Sequence, residues 1–132
     1  MGDNVPDSDD VSEAEAEALH KVELALEWLR RAHGTFVELH HSTGHALDHL
    51  ADAESALREQ GYEEFADEIR DDHLPRGVLD DRWTYDLLEE YEEDFLSPYE
   101  EFEDEVRDEI SDGVRHVKER RQESEWKERA ER

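Results

Sequence analysis

The sequence contains no cysteine, and this absence excludes several kinds of chemistry. Without thiols the chain cannot form disulfides, build a thiolate zinc site or use a cysteine nucleophile. Long apolar runs are missing too, since no stretch approaches the roughly 18 residues that a transmembrane helix needs. The N-terminal MGDNVPDSDD is acidic and lacks the apolar core of a signal peptide. We therefore expect a cytoplasmic protein with no membrane partner.

Basic residues are scarce. The chain has 15 lysines and arginines against 41 acidic residues, which gives a formal net charge of −26. Such a chain repels itself in dilute buffer, whereas in molar salt the screening length falls to about 3 Å and the repulsion largely vanishes. The composition is typical of a halophile's cytosol. The same charge repels phosphate backbones, so direct binding of nucleic acid is not expected.

Common catalytic motifs are also missing. There is no glycine-rich phosphate loop and no G-x-S-x-G nucleophile elbow. Pairs of carboxylates are frequent, but among 41 acidic residues a pair carries little information. A non-enzymatic protein without a cofactor is therefore favoured over an enzyme.

The two ends of the chain differ from its middle. Residues 1–11 are acidic and lack hydrophobic periodicity, which predicts a disordered N-terminus. Ser12 followed by Glu15 has the form of a capping box and predicts the start of a helix. A single helical domain is expected over 12–121. The mixed-charge residues 122–132 are interpreted as a frayed C-terminal tail rather than a nucleic-acid-binding arm.

From Leu19 onward, mostly apolar residues recur at alternating gaps of three and four, without a change of phase. We call the face of the helix that these residues form the seam. With Leu19 at heptad position a, Gly34 and Gly44 fall outside the seam, which favours one long helix over roughly 12–60. An αα-hairpin broken at Gly34 or near 42–44 is the alternative. Gly61 suits the end of the helix. The a and d residues are Leu19, Val22, Leu26, Leu29, His33, Phe36, His40, Thr43, Leu47, Leu50, Glu54 and Leu57.

A second long helical segment is expected after a short helix near Phe65 and a loop. It starts near Trp83 or Asp86, continues toward 121, and is interrupted at Ser97-Pro98 by a kink or a junction of two helices. The predicted fold is all-α, a long antiparallel helical hairpin with a short bracing helix. A lone hairpin is too thin to bury the apolar faces of both long helical segments, so we expect a dimeric four-helix bundle. The apolar stripe comprises Leu88, Tyr91, Phe95, Tyr99, Phe102, Val106, Ile110, Val114 and Val117.

Four of the eight histidines lie in ELHHSTGHALDH, residues 38–49. His41, His45 and His49 share the polar face of the helix at a spacing of four, which suits zinc or another divalent transition metal, with Asp52 as a further ligand. The alternative is ordinary polar surface. We refer to these four residues as the outer stripe.

His33 and His40 instead occupy a positions on the seam. They are interpreted as a core polar pair that bonds to each other or to a tyrosine and sets register. The alternative is an interior metal site with acidic groups of the last helical segment.

Two Glu-x-x-His matches resemble the motif of di-metal carboxylate proteins. They are Glu17-Ala-Leu-His20 and Glu38-Leu-His40-His41. The heptad frame places both glutamates at f, and His20 and His41 at b, on the solvent face, whereas that chemistry needs side chains that project inward. Both matches are interpreted as accidental.

The segment LPRGVLDDRWTYDL, residues 74–87, stands out by its composition. Its Arg76, Arg82, Trp83 and Tyr85 either anchor the next helix and pair with carboxylates or form a recognition loop, because tryptophan and arginine are enriched in binding hot spots. The PRG and RWTY motifs of this segment are similar to those of the uncharacterised small acidic helical proteins of haloarchaea. The similarity extends from about His40 to DGVRHV at 112–117. The resemblance implies a halophilic archaeal source and carries no catalytic residues.

These features favour a non-enzymatic helical interaction or structural protein that acts as a homodimer, with an unknown protein partner. The alternative function is a metal-binding or metal-dependent protein that uses histidines of the 33–49 stretch. An acidic mimic of nucleic acid, suggested by the carboxylates between Glu89 and Glu109, is a weaker third hypothesis.

Overall fold

The computed structural model describes residues 11–131, so nearly all of the predicted disordered N-terminus lies outside the described residues. Within this range the chain is all-α, as predicted, with no strand and one isolated bridge between Leu79 and Arg82. None of the described helices is both long enough and apolar enough to cross a membrane. The helices are α1 (Glu13–Glu59), α2 (Glu63–Glu68), α3 (Thr84–Glu90), α4 (Ser97–Ser111) and α5 (Val117–Arg129), with π-helical segments at Ile69–His73 and Tyr91–Leu96.

Helix α1 is continuous over 47 residues and passes through both Gly34 and Gly44, so the alternative of a broken hairpin is wrong. The predicted capping box forms at its start, where the Ser12 N–H donates to Glu15 Oε1 at 2.9 Å and the Glu15 N–H donates to Ser12 Oγ at 3.0 Å. Two reciprocal bonds at one helix start satisfy donors that the helix itself leaves unpaired.

The end of α1 is a Schellman motif, as the position of Gly61 predicts. Gly61 has φ +87°, and its N–H donates to Arg58 O at 3.1 Å. The Tyr62 N–H donates to Leu57 O at 2.9 Å. Glycine is favoured here because the left-handed conformation disfavours a Cβ.

The heptad seam agrees with the burial pattern along α1. All twelve a and d residues are buried or half-buried. Five of the six residues at the neighbouring heptad position g are exposed, namely Ala18, Ala25, Ala32, Leu39 and Ala46. The face that the hydrophobic period selects is therefore the face that the protein covers.

The described chain separates into two compact units, 11–30 with 96–131, and 31–95. The first unit has a small core of Val11, Ala16, Leu19 and Val117, against which Val106, Ile110 and Val114 pack. Helix α5 extends to Arg129, well into the segment predicted to be a frayed tail, although residues 122–131 are all exposed.

Helix α4 buries polar side chains. Glu103, Arg107 and Ser111 are its buried residues, whereas Tyr99 and Phe102 of the predicted apolar stripe are exposed. Pro98 stands in the first turn of α4, where its missing N–H is not needed, and the π-helical segment ends immediately before α4.

The second unit contains the predicted loop, whose centre is a tight turn. Asp80 and Asp81 have φ of 51° and 56°, and the Val78 N–H donates to Arg82 O at 2.8 Å. A Cβ on Gly77 would lie 2.0 Å from the carbonyl carbon of Asp81, so only glycine fits. Trp83 and Tyr85 are both exposed, so the interpretation that they anchor the next helix on the core is wrong.

Candidate functional site

The seam histidines lie in the second unit, and each has a partner from the segment after the loop. His33 Nε2 lies 2.6 Å from Glu92 Oε2, and its ring stacks parallel to Tyr91 at 6.1 Å between centroids. His40 Nδ1 lies 2.7 Å from Thr84 Oγ1. The bonding partners are therefore a glutamate and a threonine, not the other histidine or a tyrosine.

The outer stripe is placed on the surface of α1. His41, His45, His49 and Asp52 are all exposed. Three ligand atoms of these residues do not lie close enough together to hold one ion. Within residues 11–131, the one group of three side chains that does so contains none of these four residues. The alternative function built on the 33–49 stretch thus receives no third ligand from the described fold.

The two arginines of the loop make polar contacts at the surface of the second unit. Arg82 Nη2 lies 2.7 Å from Glu90 Oε1, and this hydrogen bond lowers the pKa of the Glu90 carboxyl. Arg76 Nη2 lies 3.2 Å from His73 Nδ1. The arginines therefore have local partners, whereas the two aromatic side chains are available to solvent.

Sequence reasoning missed a different cluster, His20, Glu23 and Glu119 of the first unit, which we call the 20/23/119 cluster. One ligand atom from each residue lies within 4.8 Å of the other two. His20 and Glu23 are one turn apart on α1, and Glu119 is in the first turn of α5. The heptad frame placed His20 on the solvent face, but its side chain is only 18 % exposed. The signal available was the spacing of His20 and Glu23, which places the two side chains one turn apart on the same helix.

The Nδ1 atom of His20 is unusual because it is buried and has no hydrogen-bond partner. It lies 3.1 Å from Glu119 Oε2, within ion-pair distance, but the two groups are not aligned for a hydrogen bond. A buried polar atom without a partner is rare in folded proteins and calls for an explanation.

Buried ion pairs adjoin this cluster. Arg107 and Glu103 are each only 4 % exposed, and Arg107 Nη2 lies 3.0 Å from Glu103 Oε1 and 3.5 Å from Glu23 Oε2. Burial lowers the pKa of the Arg107 guanidinium, but the hydrogen bond to Glu103 and the nearby carboxylates outweigh it and raise the pKa. The arginine therefore remains charged and partly neutralises the carboxylates.

A cavity of about 200 Å³ connects these groups, and its lining includes His20, Glu23, Arg107, His116 and Glu119. One imidazole nitrogen and two carboxylate oxygens on two helices form a ligand set that suits a divalent transition metal. Comparison of the chain with protein-family models, with curated proteins and with solved structures found no match. The function therefore has to follow from the chain's own residues.

Proposed function

We propose that the protein is a non-enzymatic helical interaction protein that acts as a homodimer in the cytoplasm of a halophilic archaeon. In this proposal α1 and the segments after the loop form an antiparallel hairpin, and two hairpins pair into a four-helix bundle. The observation that carries the proposal is the distribution of apolar side chains over residues 11–131.

Few apolar side chains are buried in the described range. Eight hydrophobic residues are buried, and two of them are alanines. Twelve large hydrophobic residues are more than 40 % exposed. They are Trp28, Leu39, Tyr62, Phe65, Val78, Leu79, Trp83, Tyr85, Phe95, Tyr99, Phe102 and Trp126.

Exposure of this kind favours association. A fully buried aromatic side chain removes roughly 150–250 Å² from water, at about 25 cal/mol per Å² of apolar area. Covering the exposed half of one such ring is therefore worth about 2–3 kcal/mol. Exposed rings also occur at helical spacing, as with Tyr99 and Phe102 on α4, or stacked, as with Tyr62 and Phe65 at 6.3 Å. Such pairs suit a helix from another chain.

Charge and symmetry favour a second copy as that chain. Most soluble oligomers are homo-oligomers, and a twofold dimer brings the same patch of both copies together. Two copies, each with a net charge of −26, repel one another in dilute buffer. In molar salt the screening length is about 3 Å, so the apolar contact decides the outcome. A basic partner protein would show the opposite dependence, because salt weakens attraction between unlike charges.

Light scattering at several salt concentrations tests the proposal. In about 2 M KCl, chosen for full screening, we expect a mass about twice the 15.6 kDa of the chain. In about 0.1 M KCl, where the screening length is about 10 Å, we expect dissociation toward the monomer.

Two substitutions and a control refine the measurement. Phe102→Ser and Phe65→Ser each remove an exposed ring from both copies and are expected to weaken the dimer at least tenfold, which corresponds to at least about 1.4 kcal/mol. Glu101→Ser, at an exposed neighbour on α4, is expected to leave the mass unchanged. A monomer in 2 M KCl, or a dimer that both phenylalanine variants leave intact, would contradict the proposal.

A further inference from the structure

We propose that the 20/23/119 cluster binds a divalent transition-metal ion, with Zn²⁺ as its probe, and that the ion connects α5 to α1. The site is separate from the outer stripe and does not depend on dimer formation. Three observations of the first unit support it: the geometry of the ligand atoms, the unpartnered nitrogen of His20, and the charges around them.

The spacing of the ligand atoms suits one ion. Zinc binds histidine nitrogen at about 2.0–2.1 Å and carboxylate oxygen at about 2.0–2.2 Å, so two ligands of a tetrahedral ion lie roughly 3.3 Å apart. His20 Nδ1 and Glu119 Oε2 are 3.1 Å apart, and the three ligand atoms lie within 4.8 Å of one another. The Glu119 side chain is 46 % exposed, so a small rotation of its carboxylate can bring its oxygen closer to the other two ligand atoms.

The ion also explains the state of His20. Its Nδ1 is buried, has no hydrogen-bond partner and lies beside a carboxylate oxygen. The lone pair of a neutral imidazole nitrogen is the group that coordinates zinc. A metal at this place would coordinate both this nitrogen, which has no hydrogen bond, and the Glu119 oxygen beside it.

Arg107 is the main competitor for the carboxylates and does not occupy the site. Arg107 Nη2 lies 3.5 Å from Glu23 Oε2, and the backbone N–H of His116 donates to the same oxygen at 3.3 Å. In the proposal, the other oxygen of Glu23, Oε1, binds the ion. Arg107 makes its shorter contacts with Glu103 at 3.0 Å and Asp104 at 3.1 Å, which neutralise its charge away from the cluster.

The ligand set selects a transition metal over the cations of a salty solution. Two carboxylates balance the charge of a divalent ion, and the imidazole nitrogen favours zinc-like ions over K⁺, Mg²⁺ or Ca²⁺, which prefer oxygen ligands. Three protein ligands leave a fourth position for water or for His116, which lines the same cavity.

Binding would cross-link distant parts of the chain. His20 and Glu119 are separated by almost the whole described sequence, so the ion joins the first helix to the last. An ion that binds only the folded state stabilises it by mass action. We therefore expect thermal unfolding of the full-length protein to move to higher temperature when Zn²⁺ is added.

The test measures Zn²⁺ binding to the full-length chain, stripped with a chelator and dialysed into about 2 M KCl, by titration calorimetry and elemental analysis. The proposal predicts one Zn²⁺ per chain. His20→Ala and Glu119→Gln are each expected to lower the affinity at least tenfold and to abolish the thermal shift. Glu119→Gln keeps the shape of the side chain, and circular dichroism shows whether each variant remains helical.

Two control variants locate the ion. His45→Ala lies at the centre of the outer stripe, and Glu17→Gln lies one turn from His20 on the same helix; both are expected to bind Zn²⁺ as the unaltered chain does. Loss of binding in His45→Ala with normal binding in Glu119→Gln would overturn the proposal and place the ion on the outer stripe. Absence of stoichiometric Zn²⁺ binding by the unaltered chain would overturn it as well. If His20→Ala fails to fold, Glu119→Gln decides the question.

Discussion

Thr84 is 6 % exposed, and its hydroxyl lies 2.7 Å from Nδ1 of the half-buried His40. Buried hydroxyl and imidazole groups lose their hydrogen bonds to water, so each requires a partner within the protein. His33 and Glu92 form a second pair two turns of α1 away, at 2.6 Å, in which the Glu92 side chain is exposed. Each pair joins α1 to the segment after the loop within residues 31–95.

At the residue scale, we predict that Thr84→Val lowers the free energy of unfolding by about 1–2 kcal/mol, because it leaves the His40 nitrogen without its partner. Urea denaturation in high KCl measures the change. The control is Thr43→Val, since the Thr43 hydroxyl donates only to Leu39 O of its own helix and should cost less than about 0.5 kcal/mol. If the two variants lose the same stability, the His40–Thr84 bond contributes nothing.

At the scale of elements, α1 depends on glycines in two opposite ways. Gly34 and Gly44 lie inside the helix, and a Cβ at either position would meet nothing within 4 Å. Gly61 lies just beyond the helix in the left-handed conformation at φ +87°. Alanine therefore suits the first two positions and is strained at the third.

We predict that Gly34→Ala and Gly44→Ala each raise the free energy of unfolding by about 0.8–1 kcal/mol, since alanine is the better helix former. Gly61→Ala is expected to lower it by about 1–2 kcal/mol. Denaturant titration measures all three variants against the unaltered chain. A destabilising Gly34→Ala would mean that the helix is broken at that position in solution.

At the scale of the whole molecule, charge dominates. Two like charges about 7 Å apart in water repel by roughly 0.6 kcal/mol before screening, and 41 acidic residues form many such pairs. Most of the described ion pairs involve at least one exposed partner, and exposed pairs contribute little individually. Screening by salt is therefore the main remedy for repulsion among the carboxylates.

We predict that the free energy of unfolding rises by a few kcal/mol between about 0.1 and 2 M KCl, as the screening length falls from about 10 Å to below 3 Å. Thermal unfolding monitored by circular dichroism measures it. The matched control carries three substitutions on the exposed side of α4, Glu101→Gln, Glu105→Gln and Glu109→Gln. Its free energy of unfolding should depend less on KCl. Equal salt dependence of both chains would show that repulsion between these charges is unimportant.

Local features of the fold were predictable from the sequence. The capping box at Ser12 and Glu15, the Schellman glycine at 61 and the unbroken seam predicted a helix over 12–60, and α1 spans Glu13–Glu59. Each of these signals acts between residues at most five apart, so the sequence alone contains it. The all-α class follows from the same local signals.

Only the tertiary structure decided which other surfaces are covered. His20 is half-buried, although its heptad position faces solvent, because the first turn of α5 lies against that side of α1 through Glu119 and Lys118. Likewise Glu103 and Arg107 of α4 are buried because they neutralise each other and Glu23. The hydrophobic period identifies one face of a helix, whereas burial of the remaining faces depends on distant segments. The sequence by itself determined the helices, and the packing of those segments determined the candidate metal site.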